Sequence, residues 1–211
     1  MRQALVQVLL ARRVMRLDDA QRAWTRICDA SGSREAFADA LTAANAGLAD
    51  VGLEARSVRD QETGAPLVVL MNTRGDALAE GATPFTSSEL AFVRAVVDAA
   101  SVPDRFSVAS LDALALAQPP LTKRAAAELL RHLVQRGWLA ERDGRYALAP
   151  RALCELDAYL RDHVPECGVC YELVTLGARC GTDGCSGALH TYCVRDTCAV
   201  CGAAWRARPL G

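Results

Sequence analysis

The chain is poor in aromatic residues, in net charge and in long hydrophobic runs. Only 5% of its 211 residues are aromatic although 51% are hydrophobic, so a core has to be built mainly from Ala, Leu and Val. The formal net charge of −1 excludes a strongly basic protein that binds nucleic acid through its overall charge. No hydrophobic run reaches the length of a membrane span, and we therefore expect a cytosolic or nuclear protein without membrane contact.

Signatures of catalysis and of secretion are also missing. The sequence has no Gly-rich phosphate loop, no hydrolase nucleophile elbow and no kinase signature. His132 is the one histidine outside the C-terminal region and has no acid or nucleophile patterned around it. The short apolar run at the N-terminus is followed by Arg12 and Arg13 and not by a small-residue cleavage site, which argues against a signal peptide.

Cysteine is nearly absent from the first 166 residues and crowded after them. Cys28 and Cys154 are the two exceptions, and both lie on apolar helix faces where a buried free thiol is expected. The remaining seven join His190 in four pairs: Cys167 and Cys170, Cys180 and Cys185, His190 and Cys193, Cys198 and Cys201. Because zinc takes four nitrogen or sulfur ligands at tetrahedral corners, these eight residues predict two zinc ions per chain.

The order of the ligands, four Cys, one His and three Cys, is typical of variant RING and PHD-type zinc modules. Such modules are cross-braced, so that alternate pairs share a metal. We therefore predict two sites: zinc 1 with Cys167, Cys170, His190 and Cys193, and zinc 2 with Cys180, Cys185, Cys198 and Cys201. With its thiolates ionised, the metallated protein would carry about −4. The alternative, a disulfide framework, requires an oxidising compartment.

The residues before the zinc module indicate two similar units. Residues 1–75 have three helical patterns, with Asp18 and Asp19 as cap candidates for the second and Ser33 for the third, followed by a β-hairpin. Residues 85–149 repeat this order, beginning with the capping box Thr86 to Glu89 and ending in a hairpin with Asp143-Gly144 at its turn. Helix, helix, helix and hairpin is the winged-helix arrangement.

The full prediction is an α+β protein of four parts. Two tandem winged-helix domains, residues 1–75 and 85–149, precede a connecting helix at 150–164 that Pro150 begins. A cross-braced variant RING follows at 166–205. So short a connection predicts a zinc module that is placed rigidly against the second winged helix.

Three sets of residues are candidates for contacts with partners. Lys123, Arg124 and Arg131 lie on the helix that winged-helix proteins use to contact DNA, but acidic neighbours favour a solvated helix face, and we expect DNA binding to be weak or indirect. Val169, between the first two zinc ligands, is the candidate for docking a ubiquitin-conjugating enzyme. The apolar Leu5, Leu9, Trp24 and Phe92 are candidates for a protein interface, although core burial is the stronger expectation for each.

On these residues the chain resembles a known family, the RING-bearing subunit (first non-SMC element) of the non-SMC-element subcomplex in Smc5/6-type DNA-repair complexes. The segments that carry the resemblance are Arg26 to Cys28, Phe85 to Leu90, Leu129-Leu130 with Gly137 to Leu139, and Ala152-Leu153 with Tyr159 to Arg161 leading into Cys167 to Cys170. The resemblance implies a MAGE-type winged-helix partner, a kleisin subunit, ubiquitin ligase activity promoted by the MAGE partner and a nuclear location.

The chain departs from active RING domains at three points. Only four residues separate Cys193 from Cys198, Ala199 stands where many active RINGs have Pro, and Gly202 stands where an activating Arg or Lys is usual. The short gap, with Asp196 in place of a Trp, also disfavours a PHD histone reader. We expect little ligase activity from the chain alone. A non-catalytic assembly subunit and a DNA-binding winged-helix protein remain the alternatives.

Overall fold

The computed structural model describes residues 1–74, 85–193 and 195–211. The last residue of the first predicted domain, 75, and the first residue of the short gap before Cys198, 194, lie outside the described residues. The described chain is a mixed α/β protein with three small antiparallel sheets.

The first unit has three helices and a three-stranded sheet. Its elements are α1 (Arg2–Arg12), β1 (Val14–Arg16), α2 (Leu17–Ser31), α3 (Phe37–Ala49), β2 (Leu53–Arg59) and β3 (Pro66–Asn72). The strand order is β1-β3-β2, with β3 antiparallel to both neighbours. The predicted helices and hairpin are present, and the short strand β1 adds an edge to the hairpin that the sequence pattern did not predict.

The core of this unit contains residues that we had considered for an interface. Leu5, Leu9 and Trp24 are buried there, and the Trp24 indole donates to the Glu35 carbonyl over 2.8 Å. Phe92 is buried in the second unit. The interface hypothesis for these four residues is therefore wrong, because small cores with few aromatic residues need these large apolar side chains for their own packing.

The predicted caps of this unit are also corrected. The second helix begins after Arg16, so that Asp18 and Asp19 lie in its first turn, where carboxylates favour the positive end of the helix dipole. The third helix begins after Ala36 without a side-chain cap. The Ser33 hydroxyl instead accepts from the Glu35 amide in the preceding loop.

The second unit repeats the order of the first. Its elements are α4 (Ser87–Ala100), β4 (Val108–Ala109), α5 (Ser110–Ala115), α6 (Lys123–Gln135), β5 (Leu139–Arg142) and β6 (Arg145–Leu148), with strand order β4-β6-β5. The predicted capping box is confirmed, since Thr86 and Glu89 each bond the other's backbone amide. Asp143 and Gly144 have φ of 48° and 71°, as the predicted tight hairpin turn requires.

The connection to the last module is two short helices and not the single helix expected over residues 150–164. α7 (Pro150–Glu155) and α8 (Asp157–Leu160) are separated by Leu156, whose φ of −101° and ψ of 12° interrupt the helix. Inside α7, Arg151 and Glu155 form a buried ion pair with Nε and Oε1 2.7 Å apart. The Arg151 guanidinium also lies over the Trp138 ring and donates to the Arg136 carbonyl.

The connection packs against both units. The outer face of the first sheet, formed by Val58, Leu67, Val69 and Met71, is covered with the help of Cys154 on α7. On the other side Ala152, Leu156 and Leu160 belong to the core of the second unit. That core continues without a break through Val164 to Cys167 and Cys193, so the second unit and the first predicted zinc site share one hydrophobic core.

The C-terminal module is built on a small sheet and ordered loops. Its strands are β7 (Gly177–Cys180), β8 (Ala188–Leu189) and β9 (Ala207–Leu210), in the order β8-β7-β9. Because β9 pairs with the whole of β7, the sheet extends beyond the predicted end of the domain at residue 205. Within the described residues, no helix combines the length and apolar character needed to cross a membrane.

Candidate metal centres

The first predicted zinc site is a cluster of four side chains from two separate loops. The ligand atoms of Cys167, Cys170, His190 and Cys193 all lie within 4.8 Å of one another. The turn that begins at Cys167 places the first pair, and His190 and Cys193 follow directly after β8. The Cys193 amide donates to the His190 carbonyl over 2.9 Å within the second loop, and the Gly168 amide donates to the Ala188 carbonyl over 3.0 Å, which joins the first loop to β8.

The orientation of His190 suits a metal ligand. Its Nε2 lies 3.1 Å from the Leu173 carbonyl, which can only accept, so Nε2 carries the proton. Nδ1 is then unprotonated and points into the cluster, 3.3 Å from Cys170 Sγ. Burial lowers the pKa of His190, which favours the neutral imidazole that binds metals. A carbonyl that fixes the ring in this way is the usual support of a metal-bound histidine.

The second predicted site is the matching cluster of Cys180, Cys185, Cys198 and Cys201, whose sulfur atoms also lie within 4.8 Å of one another. Cys180 Sγ is 3.8 Å from Cys201 Sγ, and Cys185 Sγ is 3.6 Å from Cys198 Sγ. Amides of Gly187 and Val200 each donate to a sulfur of this cluster over 3.4 Å. A hydrogen bond from Thr182 lowers the pKa of Cys180 to about 6, which favours its thiolate.

The measured separations agree with tetrahedral metal coordination. Four sulfurs about 2.3 Å from a zinc ion lie about 3.8 Å from each other, which matches the two sulfur–sulfur distances of the second cluster. A disulfide requires about 2.05 Å, and all nine cysteines are free. Each cluster could therefore hold one metal ion, and the pairing of alternate loops is the one that the spacing predicted.

The two C-x-x-C turns have the same geometry. In the first, the Tyr171 amide donates to the Cys167 carbonyl over 3.0 Å, and in the second the Gly202 amide donates to the Cys198 carbonyl over 2.9 Å. The donor residue has positive φ in both cases, 61° at Tyr171 and 70° at Gly202. Glycine adopts this conformation without steric cost, which gives a conformational reason for a glycine at position 202.

Comparisons with known proteins agree with this architecture. A family model described as the Nse1 non-SMC component of the SMC5-6 complex matches residues 2–107 and 104–156. The chain belongs to the Nse1 family. The match ends before Cys167, so the two metal clusters of this Nse1-family chain rest on their own geometry.

Individual relatives of the Nse1 family align over most of the chain. The human non-structural maintenance of chromosomes element 1 homolog is 25% identical over 200 residues, which cover 90% of this chain and 74% of the human protein. The Schizosaccharomyces pombe protein is 27% identical over 186 residues, which cover 82% of this chain and 79% of that protein. A chain in a solved Nse1-Nse3-Nse4 complex has the same fold, with a TM-score of 0.84, 22% identity and coverage of 97% of this chain and 95% of that one.

The residue predicted to dock a conjugating enzyme lies on a partly apolar surface of the C-terminal module. Val169 is half-buried against the core. The loops that carry the two C-x-x-C turns meet next to it, since a Cβ built on Gly168 would lie 3.1 Å from the Ala199 Cβ. Tyr171 and Val200, which the sequence reasoning missed, are 68% and 62% exposed on these loops. Their position next to Cys170 and Cys201 in the sequence could have indicated that they belong to this surface.

The predicted DNA-contacting residues lie on the exposed face of α6. Lys123, Arg124 and Arg131 are all exposed, and Arg124 pairs with Glu128 over 3.3 Å. The helix thus presents cations together with an acidic partner, and it is remote from both metal clusters in the chain. This arrangement agrees with the solvated face that we favoured, and DNA contact stays a prediction.

Residues outside the ligand set also shape the first cluster. Tyr192 stacks on His190 with ring centroids 4.9 Å apart and an interplanar angle of 7°. Gln61, from the first unit, donates to the same Leu173 carbonyl that His190 contacts. Neither was predicted. The position of Tyr192, two residues after His190, could have indicated a contact with this cluster. Gln61 lies more than a hundred residues earlier in the chain, and nothing in the sequence near it indicates the contact.

Proposed function

We propose that the two clusters bind zinc and that residues 166–205, with the strand that follows them, form a variant RING of a ubiquitin ligase subunit. The observation that carries the proposal is the cross-braced pairing of eight Cys and His side chains into two clusters with tetrahedral spacing. Soft sulfur ligands with one imidazole are the donor set typical of structural zinc. Bound zinc would supply structural cross-links, and no chemical step passes through it.

We further propose that residues 1–75 and 85–149 are winged-helix domains and that residues 150–164 connect them to the zinc module. The repeated order of three helices and a hairpin supports this, together with the short strand that pairs with the second hairpin strand in each sheet. The membership of the Nse1 family supports a MAGE-type partner, a kleisin partner, a role in chromosome maintenance and DNA repair, and a nuclear location.

The ligase role requires positioning alone. A RING holds a charged conjugating enzyme next to its substrate, and catalysis of this kind needs orientation but no nucleophile or base on the ligase. The surface formed by Val169, Tyr171, Ala199 and Val200 supports such docking because it exposes apolar area next to two rigid metal-braced turns. The missing basic residue at Gly202 and the short gap before Cys198 favour weak activity that depends on the MAGE-type partner.

A ubiquitin discharge assay tests this role. The complex with the partner should discharge a ubiquitin-charged conjugating enzyme modestly, and the isolated chain little or not at all. Val169→Asp should abolish discharge by the complex while both metals stay bound, because it places an unpaired charge in an apolar contact. Val51→Asp is the matched control, since Val51 is an exposed valine on the first unit, and it should leave discharge unchanged.

The alternative is a non-catalytic assembly subunit whose zinc module only braces the partner interface. It is favoured if the intact complex gives no discharge above background with any of a panel of conjugating enzymes. Robust chain formation by the isolated protein would show instead that the departures at Ala199 and Gly202 matter less than we propose.

Direct DNA binding is proposed to be weak. The cations of α6 are few, and one of them is paired with Glu128, so duplex affinity should fall steeply with salt and vanish near physiological ionic strength. Submicromolar binding at that ionic strength, removed by Lys123→Glu with Arg124→Glu, would support the DNA-binding alternative.

A further inference from the structure

The turn between β2 and β3 of the first unit contacts the metal module through Gln61. Its Oε1 accepts from the Thr175 and Leu176 amides, both over 2.9 Å, and from the Thr175 hydroxyl over 3.2 Å. Its Nε2 donates to the Leu173 carbonyl over 2.7 Å. One side chain therefore bonds three backbone groups within residues 173–176, the Leu173 carbonyl and the Thr175 and Leu176 amides, and these hydrogen bonds join the first unit to the C-terminal module.

The Leu173 carbonyl links this contact to the first metal cluster. It also accepts from His190 Nε2 over 3.1 Å, and a carbonyl oxygen has two lone pairs that can serve two donors. The hydrogen bond from the Gln61 amide orients the Leu173 carbonyl, and that carbonyl in turn orients the His190 imidazole. Gln61 is thus one peptide group away from a metal ligand, in the position where supporting hydrogen bonds tune metal affinity.

A second path leads from the same turn to the same ligand. The Tyr192 ring stacks on the His190 ring. The guanidinium of Arg59, the last residue of β2, lies over the Tyr192 ring, 5.6 Å from its centroid. A Cβ built on Gly64 would lie 3.4 Å from the Tyr192 ring. The turn therefore touches both groups that hold the imidazole, its hydrogen-bond acceptor and its stacking partner.

The second cluster is different in this respect. Its sulfurs are supported by amides of Gly187 and Val200, both within the module. Over residues 1–74, 85–193 and 195–211, we find no hydrogen bond, ion pair or ring contact between residues 59–65 and its four cysteines. The two clusters thus offer a comparison within one molecule.

We propose that Gln61 is a positioning residue of the first metal cluster, so that docking of the first unit and metal affinity at this cluster alone are coupled. The inference rests on the proposal that the clusters hold zinc. Coupling of this kind is reciprocal: the docked turn stabilises the His190 site, and the occupied site stabilises the docked turn. Removing a supporting partner of a metal ligand costs about 10- to 100-fold in affinity, and we expect about 3- to 10-fold for Gln61 because it acts through one more group.

The test uses the full-length chain loaded with cadmium-113, whose NMR resonance distinguishes a site with three sulfurs and one nitrogen from a site with four sulfurs. Gln61→Met keeps the length of the side chain and removes all four hydrogen bonds. We expect it to shift or broaden the three-sulfur resonance only, and to speed loss of that one metal to excess chelator by about 3- to 10-fold. Gln7→Met is the matched control, because it makes the same substitution at an exposed residue of α1, and it should change neither resonance.

A second variant separates docking from positioning. Gln61→Glu keeps the acceptor for the Thr175 and Leu176 amides and loses the donor to the Leu173 carbonyl. We expect amide exchange of residues 60–65 to stay slow, as in the unsubstituted chain, while the three-sulfur resonance still shifts. A Gln61→Glu protein with an unchanged resonance would overturn the path through Leu173.

Reciprocity gives the last readout. Stripping metal from the full chain should speed amide exchange at residues 60–65, and the turn should recover on reloading. If the chain holds two metals and Gln61→Met leaves both release rates unchanged, or speeds both equally, the inference fails and the zinc assignment stands. A chain that holds no metal by elemental analysis overturns the zinc assignment and the inference together.

Discussion

The two metal clusters have the same number of ligands but different surroundings. Cys167 and Cys193 of the first cluster belong to the hydrophobic core that continues into the connection and the second unit, and His190 is 2% exposed. The four cysteines of the second cluster lie outside that core. Its neighbours Thr182, Asp183 and Val200 are exposed, and its sulfurs are supported by amides of their own loops.

This difference in surroundings leads us to expect that the two sets of four ligands differ in stability. At the first cluster, packing and hydrogen bonds from three parts of the molecule would hold the ligands close together even without metal, which reduces the ordering cost of binding. At the second, no such packing from the first two units is present within the described residues, and we expect the ordering of residues 180–187 and 198–203 to depend more on a bound metal. We therefore expect the second cluster to lose its metal more readily than the first.

Metal removal should have the largest effect. Structural zinc contributes about 10–16 kcal/mol of apparent binding free energy in small peptides, so excess chelator should unfold residues 166–211, beginning at the second cluster. The first unit should keep its structure because it has its own apolar core, and the second should keep it because residues 85–160 contribute most of the core that it shares with the module. Trp24, Trp138 and Trp205 lie one in each part, and variants that retain a single tryptophan report each part by fluorescence.

One result would contradict the expected difference between the two clusters. Simultaneous loss of both metals, with all three tryptophans responding together, would show that the molecule is one cooperative unit and that surroundings do not distinguish the clusters. Elemental analysis before chelation should give two zinc ions per chain.

The buried ion pair on α7 is expected to give the next largest effect. Arg151→Met leaves Glu155 as a buried carboxylate without its partner, and Glu155 Oε2 already lacks a hydrogen bond. Losing one partner of a buried pair costs about 3–5 kcal/mol. Denaturant unfolding followed at Trp138 should show this loss. Because α7 joins the core that holds Cys167, release of the first metal should speed up while release of the second stays unchanged.

Two further variants test whether the loss of stability comes from burial of the charges. Arg161→Met removes two exposed ion pairs just after α8, with Asp157 and with Glu166. The three side chains are 40%, 35% and 44% exposed, so each pair should contribute less than about 1 kcal/mol. Arg151→Met combined with Glu155→Leu removes both buried charges and should recover most of the stability. Equal losses in Arg151→Met and Arg161→Met would show that burial of the pair does not set its contribution.

The local features of this molecule could be predicted from the sequence. The predicted ligand pairs rest on cysteines and a histidine spaced a few residues apart, the start of α4 on the capping box of Thr86 and Glu89, and the second hairpin turn on Asp143-Gly144. Each depends only on residues that are near one another in the sequence. The Nse1 family followed from the same segments, and the family model confirms it.

What could not be predicted depends on distant parts of the chain. β1 forms only because β3, more than fifty residues later, offers a free edge. Gln61 and Leu173 are 112 residues apart in the chain, and nothing near Gln61 marks its partner. The break at Leu156, which lets its side chain enter the core, likewise depends on the surface that the helix packs against. These features determine how the first cluster is supported, so the sequence predicted the candidate ligands but not the unequal surroundings of the two clusters.

The smallest expected effect concerns Tyr171 and Gly202, which follow the two C-x-x-C turns and have left-handed backbone conformations. Tyr171 is strained at φ 61° and its side chain is 68% exposed, so Tyr171→Gly should stabilise the metal module by up to about 1 kcal/mol. Gly202→Ala introduces the same strain at φ 70°, with no atom within 4 Å of the new Cβ, and should cost about 1 kcal/mol. Denaturant unfolding of the zinc-saturated chain, followed at Trp205, measures both.

The pair of variants also tests the difference between the clusters. Because the core supports the first cluster, Tyr171→Gly should hardly change its metal release. Gly202→Ala should speed release from the second, where the turn itself orders the ligands. Cadmium-113 resonances assign each rate to its cluster. If Tyr171→Gly changes the rate of metal release at the first cluster as much as Gly202→Ala does at the second, packing against the core does not cause the expected difference between the two clusters.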